Sequence, residues 1–112
     1  MTRIYRATSL DGLRALLEAG ALPADPDAIV ADGDDENAEY AALMTAADVS
    51  AALLTGPGRR VVVVAEVGDP AAAVPLGTVV AVHADTADRP LDADPDEDLA
   101  WFAAQEIESL LH

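Results

Sequence analysis

The stretch Arg59-Arg60-Val61-Val62-Val63-Val64-Ala65-Glu66-Val67 decides the fold. It reads as a strand without alternation. Four consecutive β-branched residues leave no polar face, so both faces must be covered by other parts of the chain, as in a central strand. Thr55-Gly56-Pro57-Gly58 stops the segment before it, and Gly68-Asp69-Pro70 ends the strand. Glu66, near that end, is expected to leave the core.

The neighbours follow outward from this strand. After the turn at Pro70 and Pro75, Leu76-Gly77-Thr78-Val79-Val80-Ala81-Val82-His83 predicts a second apolar strand, and the short link predicts an antiparallel pair. Before it, Tyr40, Leu43, Met44, Ala47, Ala51 and Leu54 form a stripe that predicts a helix over about 35–54. Asp32-Gly33-Asp34-Asp35-Glu36 crowds the start of that helix, where the dipole favours acids. The run has no glycine at the sixth position and no glutamate at the twelfth, so it does not make a calcium loop. At the amino end, residues 2–7 predict a strand with Arg3 and Tyr5 on one face and Ile4 and Arg6 on the other. Thr8 or Ser9 caps a helix over 9–19 whose stripe is Leu10, Leu13, Leu16 and Leu17, and Gly20 stops it.

Residues 21–34 and 84–95 are proline-bearing, acidic loops, expected to be mobile, with Ala28-Ile29-Val30-Ala31 as a short strand inside the first. A last helix is predicted over about 95–111. Pro95 suits its first turn, Asp94, Asp96, Glu97 and Asp98 sit at its positive end, and Leu99, Phe102, Ala103, Glu106 or Ile107, and Leu110 track its buried stripe. The order β-α-(β)-α-β-β-α predicts an α+β or α/β domain of two layers, with a mixed sheet of three or four strands and about three helices. A right-handed crossover through the helices would set the first strand parallel to, and beside, the valine strand.

The whole chain, 112 residues, makes one domain with a small core. There is no cysteine, which removes disulfides, thiolate catalysis and zinc–thiolate sites. The opening Met1-Thr2-Arg3-Ile4-Tyr5-Arg6 has no apolar leader region, and no apolar run is long enough for a membrane span. The expected setting is the cytoplasm. With 21 acidic residues against 6 arginines and no lysine, the net charge is −15. Direct contact with nucleic acid or an anionic membrane is disfavoured. The acidity reads as solubility, as a face for a partner protein with a basic surface, or as a mimic of nucleic acid for a basic groove.

Leu99-Ala100-Trp101-Phe102-Ala103-Ala104-Gln105-Glu106-Ile107 resembles the Trp-aromatic-Ala-x-Gln-Glu-Ile ending of a family of small actinobacterial proteins of unknown function. Arg3-Ile4-Tyr5, Ala7-Thr8, Glu39-Tyr40-Ala41-Ala42-Leu43, Arg59-Arg60-Val61-Val62-Val63 and Val80-Ala81-Val82-His83-Ala84-Asp85 are similar to other parts of it. The segments before the second helix and between the two apolar strands are shorter here. The resemblance implies no activity and transfers no catalytic residues.

Seven residues are candidates for binding. His83 and Asp85 form a His-x-Asp at a strand end, suited to acid–base work or to a structural bond. Glu106, beside Gln105 on the last helix, needs a cationic partner if it points inward, and Arg3 or Arg6 on the first strand would serve, with Tyr5 alongside. Trp101 is either an exposed anchor for a partner or a packing residue. His112, at the terminus, is not counted. No phosphate loop, nucleophile elbow or dinucleotide fingerprint occurs, so no catalytic residue, metal or cofactor is assigned. The leading expectation is a non-catalytic protein–protein interaction module. The alternatives are a nucleic-acid-mimicking inhibitor of a basic-grooved protein and a small-ligand binder or minor enzyme with a pocket near Arg3, Tyr5, His83 and Glu106.

Overall fold

A computed structural model describes residues 1–111. Seven strands and three helices occur among them: β1 (Thr2–Thr8), α1 (Leu10–Ala19), β2 (Ala21–Leu22), β3 (Ile29–Val30), α2 (Glu36–Ala52), β4 (Val61–Val67), β5 (Val74–Pro75), β6 (Val79–Ala84), β7 (Ala100–Ala103) and α3 (Ile107–Leu110). The fold is α+β. One sheet has five strands in the order β3-β1-β4-β6-β7, and β2 and β5 form a separate two-stranded ribbon.

β4 is the central strand, with Val61, Val62 and Val63 wholly buried. Period-two alternation divides its side chains between two cores. Val61, Val63, Ala65 and Val67 pack with Ile4, Leu13, Leu16, Val82 and Ile107, beneath α1, the ribbon and α3. Val62 and Val64 pack with Tyr5, Ala42, Ala46, Ala47 and Ala81, beneath α2. Glu66 is partly exposed and pairs with Arg3 at 2.8 Å, as its place near the strand end suggests. Ser9 caps α1 by accepting from Gly12 N–H at 3.1 Å. Gly20 ends it in the left-handed region at φ 80°, where a β-carbon would be strained.

Four features differ from the sequence reading. The sheet is antiparallel throughout, not mixed. β1 does lie beside β4, but β1 opposes both β3 and β4, so those two run parallel. A parallel crossover therefore exists. It joins β3 to β4 through α2, with β1 lying between them.

Second, there are five strands in that sheet rather than three or four, because residues 100–103 pair with β6. The predicted helix over 95–111 shrinks to Ile107–Leu110, preceded by a 3-10 turn over Ala104–Glu106. Trp101 and Phe102 favour a pleated, half-buried surface, and an open β6 edge outweighs the helical spacing. Asp94 does not begin a helix. Its side chain accepts from Asp96 N–H at 2.9 Å in a turn.

Third, the second apolar strand starts at Val79. Val74 and Pro75 pair with β2, and Leu76–Thr78 forms a 3-10 turn.

Fourth, α2 has nearly the expected ends but a rotated buried face: Ala42, Ala46, Ala47 and Ser50. Of the predicted stripe only Ala47 is fully buried, while Tyr40 stands half exposed. Small residues let the helix lie close on the sheet, and this places the larger ones at its margins. In α1, Leu13 and Leu16 are buried, while Leu17 is exposed.

No helix among the described residues is long and apolar enough to cross a membrane.

Candidate functional site

Because α2 touches the sheet through alanines, it covers β1, β4 and Ala81 of β6 but leaves His83 and Trp101 less covered on the same face. The register fixes what stands there. Tyr5 lies opposite Val64, Val64 opposite Ala81, and His83 opposite both Val62 and Trp101. A slip in the β4–β6 ladder between Val64 and Ala65 turns Val80 outward, 41% exposed.

The result is a groove of about 340 Å³ between the margin of α2 and the outer strands. Tyr5, Val64, Ala81 and His83 form its floor, with Tyr40 and Leu43 on one wall and Trp101 on the other. Arg3 and Glu39 stand at one end. Three of the four aromatic residues of the chain meet here. Trp101 is 60% exposed although it is the largest side chain in the protein.

The groups in the groove are electrostatically settled. Arg3 donates to Glu66 at 2.8 Å and to Glu39 at 3.3 Å, and the Glu66 bond raises the guanidinium pKa further. Burial pushes the Tyr5 phenol up, and the nearby Glu39 charge adds to that. Tyr40 Oη donates to Asp98 at 2.6 Å, which raises its pKa and ties α2 to the segment before β7. Burial lowers the pKa of His83, so its ring is neutral near pH 7.

A titration of His83 followed by NMR is therefore expected to have its midpoint below about 6.5, the ordinary histidine value. The sign for stability follows. Between the two values the unfolded chain binds more protons, so the contribution of His83 is full above about 6.5 and is lost as pH falls through the folded value. His83→Gln should remove this dependence. A midpoint at or above the ordinary value would show the ring to be solvated or paired.

Arg3, Tyr5, His83 and Trp101 of the predicted site are thus brought together. The other three residues are not. Asp85 does not pair with His83, since both of its oxygens accept from Arg60: Nη2 to Oδ1 at 2.8 Å, and Nε to Oδ2 at 3.0 Å. The Arg60 backbone N–H adds a third bond at 2.8 Å. Burial alone would raise the Asp85 pKa, but the Arg60 bonds and the charges of Arg60 and Arg89 hold it below the usual carboxylate value. Glu106 does not reach Arg3 or Arg6. It is exposed and accepts from Ala103 N–H at 3.0 Å. Arg6 donates instead to the Pro23 carbonyl at 2.8 Å. Gln105 is exposed in the 3-10 turn, outside the groove. His112 lies outside the described residues.

Tyr40, Leu43 and Glu39 are additions to the site. Tyr40 and Leu43 were expected on the buried stripe of the helix, and only the rotation of α2 makes them a wall with Glu39 at its end. Arg60 was also missed. The hairpin register was its signal: extending the antiparallel pairing of the two apolar strands by one step beyond Val61–Ala84 sets Arg60 against Asp85.

No group of three or more His, Asp or Glu able to hold a metal ion occurs among the described residues. No curated protein and no solved structure matches the chain. A match does run from residue 2 to residue 111, nearly end to end, and by it the chain belongs to DUF6912, a family of unknown function.

Proposed function

We propose that this protein is a non-catalytic recognition module that receives a basic segment of a partner protein in the groove beside α2. The convergence of Tyr5, Tyr40, Trp101 and His83 on one open groove carries this reading. An exposed tryptophan over an apolar floor supports an anchor for a partner, since tryptophan and tyrosine dominate interface energetics. Acids outnumber bases around the groove: Glu39 and Glu66 share the single cation Arg3, and Asp98 is bonded to Tyr40 beside it. Aromatic faces beside carboxylates suit an arginine or lysine side chain. Among the described residues His83 has no carboxylate to orient it, because Asp85 is bound to Arg60, and this weighs against acid–base catalysis.

Affinity capture with the full chain tests the reading. A basic partner should be retained at low salt and released at high salt. Trp101→Ala should weaken its binding by roughly 30-fold, the loss of a typical hot spot of about 2 kcal/mol. A partner held equally well by Trp101→Ala would place the recognition surface elsewhere. One observation favours a small-ligand reading: the groove volume lies at the lower end of the range for ligand sites. That reading predicts saturable binding of a compound below peptide size, displaced by the same substitution.

A further inference from the structure

β7 is the outer strand of the sheet, and the ladder tells which of its backbone groups face out. Asp85 N–H donates to the Arg60 carbonyl at 3.1 Å. Arg60 and Asp85 are thus a hydrogen-bonded pair continuing the β4–β6 ladder. Backbone directions alternate along a strand, so His83 and Ala81 also face β4, while Val82 and Ala84 face β7. Their partners Phe102 and Ala100 close the β6–β7 ladder. Trp101 and Ala103 therefore point their N–H and C=O groups away from the sheet. Glu106 takes the outward N–H of Ala103. The outward N–H and C=O of Trp101 have no partner among the described residues.

Such an edge is usually blunted by lysine, proline or a very short strand. The opposite edge follows the rule, since β3 has two residues. β7 does not: Ala100-Trp101-Phe102-Ala103 carries no charge and no proline. Its protection is in its flanks. Asp94, Asp96, Glu97 and Asp98 precede it, Glu106 and Glu108 follow it, and residues 90–111 contain no basic side chain. A second copy of this chain would bring the same acids against these, on a net charge of −15 per chain. The edge is thus guarded against itself and open to a cationic strand.

We propose that β7 accepts an extended, basic segment of the partner protein as a sixth strand. The segment's backbone bonds to the N–H and C=O of Trp101, and its alternate side chains lie against the Trp101 indole, at the mouth of the groove. Main-chain bonds supply affinity in this mode, and the alternate side chains supply specificity. The inference rests on the groove being the recognition surface and adds how the partner's backbone is held.

The experiment uses the full chain and three ten-residue probes: alternating Val-Lys, alternating Val-Glu, and Val-Lys N-methylated at every peptide nitrogen. Quenching of Trp101, the one tryptophan of the chain, reports groove occupancy. Hydrogen exchange of the Trp101 amide reports strand addition. The Val-Lys peptide should quench the indole and slow exchange at Trp101 by at least about tenfold, equivalent to about 1.4 kcal/mol. The Val-Glu and N-methylated peptides should do neither. Trp101→Ala retains the outward N–H, whereas Trp101→Pro removes it without touching the β6 ladder. With the peptide concentration raised about 30-fold to offset the weaker binding, slowed exchange across β7 should therefore survive in the alanine variant and vanish in the proline variant. If the proline variant does not fold, the N-methylated probe tests the same bonds on the unaltered protein. Quenching without slowed exchange would overturn strand addition and leave the groove reading standing. Absence of both would overturn strand addition, with the groove reading decided by the capture experiment. A dimer that protects the Trp101 amide without peptide would overturn the choice of occupant.

Discussion

Asp85→Ala is expected to destabilise the fold by about 3–5 kcal/mol, the cost of leaving a buried charge without its partner. Arg60 is 2% exposed and heads the fully buried side chains in size. It stands at the entry to β4, the strand on which both cores are built. Its guanidinium gives two bonds to Asp85 and one to the Pro95 carbonyl at 3.3 Å. One ion pair thus ties the start of the central strand, the end of β6 and the 85–95 loop together. With the carboxylate gone, the arginine must stay buried uncompensated or pull the strand entry into water. Typical domain stability is only about 5–15 kcal/mol, so this one change brings the protein close to unfolding. Urea denaturation of Asp85→Ala, Arg60→Met and the double variant measures the pair as a cycle. The double variant should recover much of the loss, since apolar replacement of a buried pair is often near neutral. A loss below about 1 kcal/mol for Asp85→Ala would assign the pair the weight of a surface bridge. The pH dependence has a definite sign. The folded carboxyl titrates below its ordinary 3.8, so the stability is present above that value and is lost as pH falls through the folded one.

Ser50→Ala is the second large effect. Thr8 and Val61 face each other at the end of the β1–β4 ladder. The Ser50 hydroxyl is inserted between them: it donates to the Thr8 carbonyl at 2.6 Å and accepts from Val61 N–H at 2.8 Å. It is 1% exposed, so water has no ready access to replace it. Alanine leaves two backbone groups unmet, at roughly 1–3 kcal/mol for each buried group. It also frees α2 from the sheet at the one polar contact on its buried face. Chemical denaturation gives the total, and faster exchange of the Val61 amide locates it. Ser50→Thr, which keeps the hydroxyl, should lose less. Unchanged exchange at Val61 would mean that the strands close the gap directly.

Much of the architecture was legible in local sequence. The unbroken valines required cover on both faces, and β4 has it. Ser9, Gly20 and the acids before α2 marked helix ends by capping chemistry, which acts within one turn. The family resemblance was legible too, because it rests on short local motifs along the chain. The site was legible in part. Arg3 and Tyr5 shared a face by alternation alone, and Trp101 and His83 stood out by type.

The sequence by itself determined which segments are buried, where most turns fall, and which residues have the chemistry to bind. Those properties depend on side chains and their near neighbours. Only the tertiary structure decided the direction of β4 relative to β1, the conversion of Ala100–Ala103 from helix to edge strand, and the rotation of α2 onto its alanines. Each is a competition between distant partners: an open β6 edge against helical spacing, and close helix–sheet approach against burial of Tyr40. The groove exists because the second competition was won by small residues. Trp101 lines it, its outward backbone groups without a partner among the described residues, because the first was won by pairing.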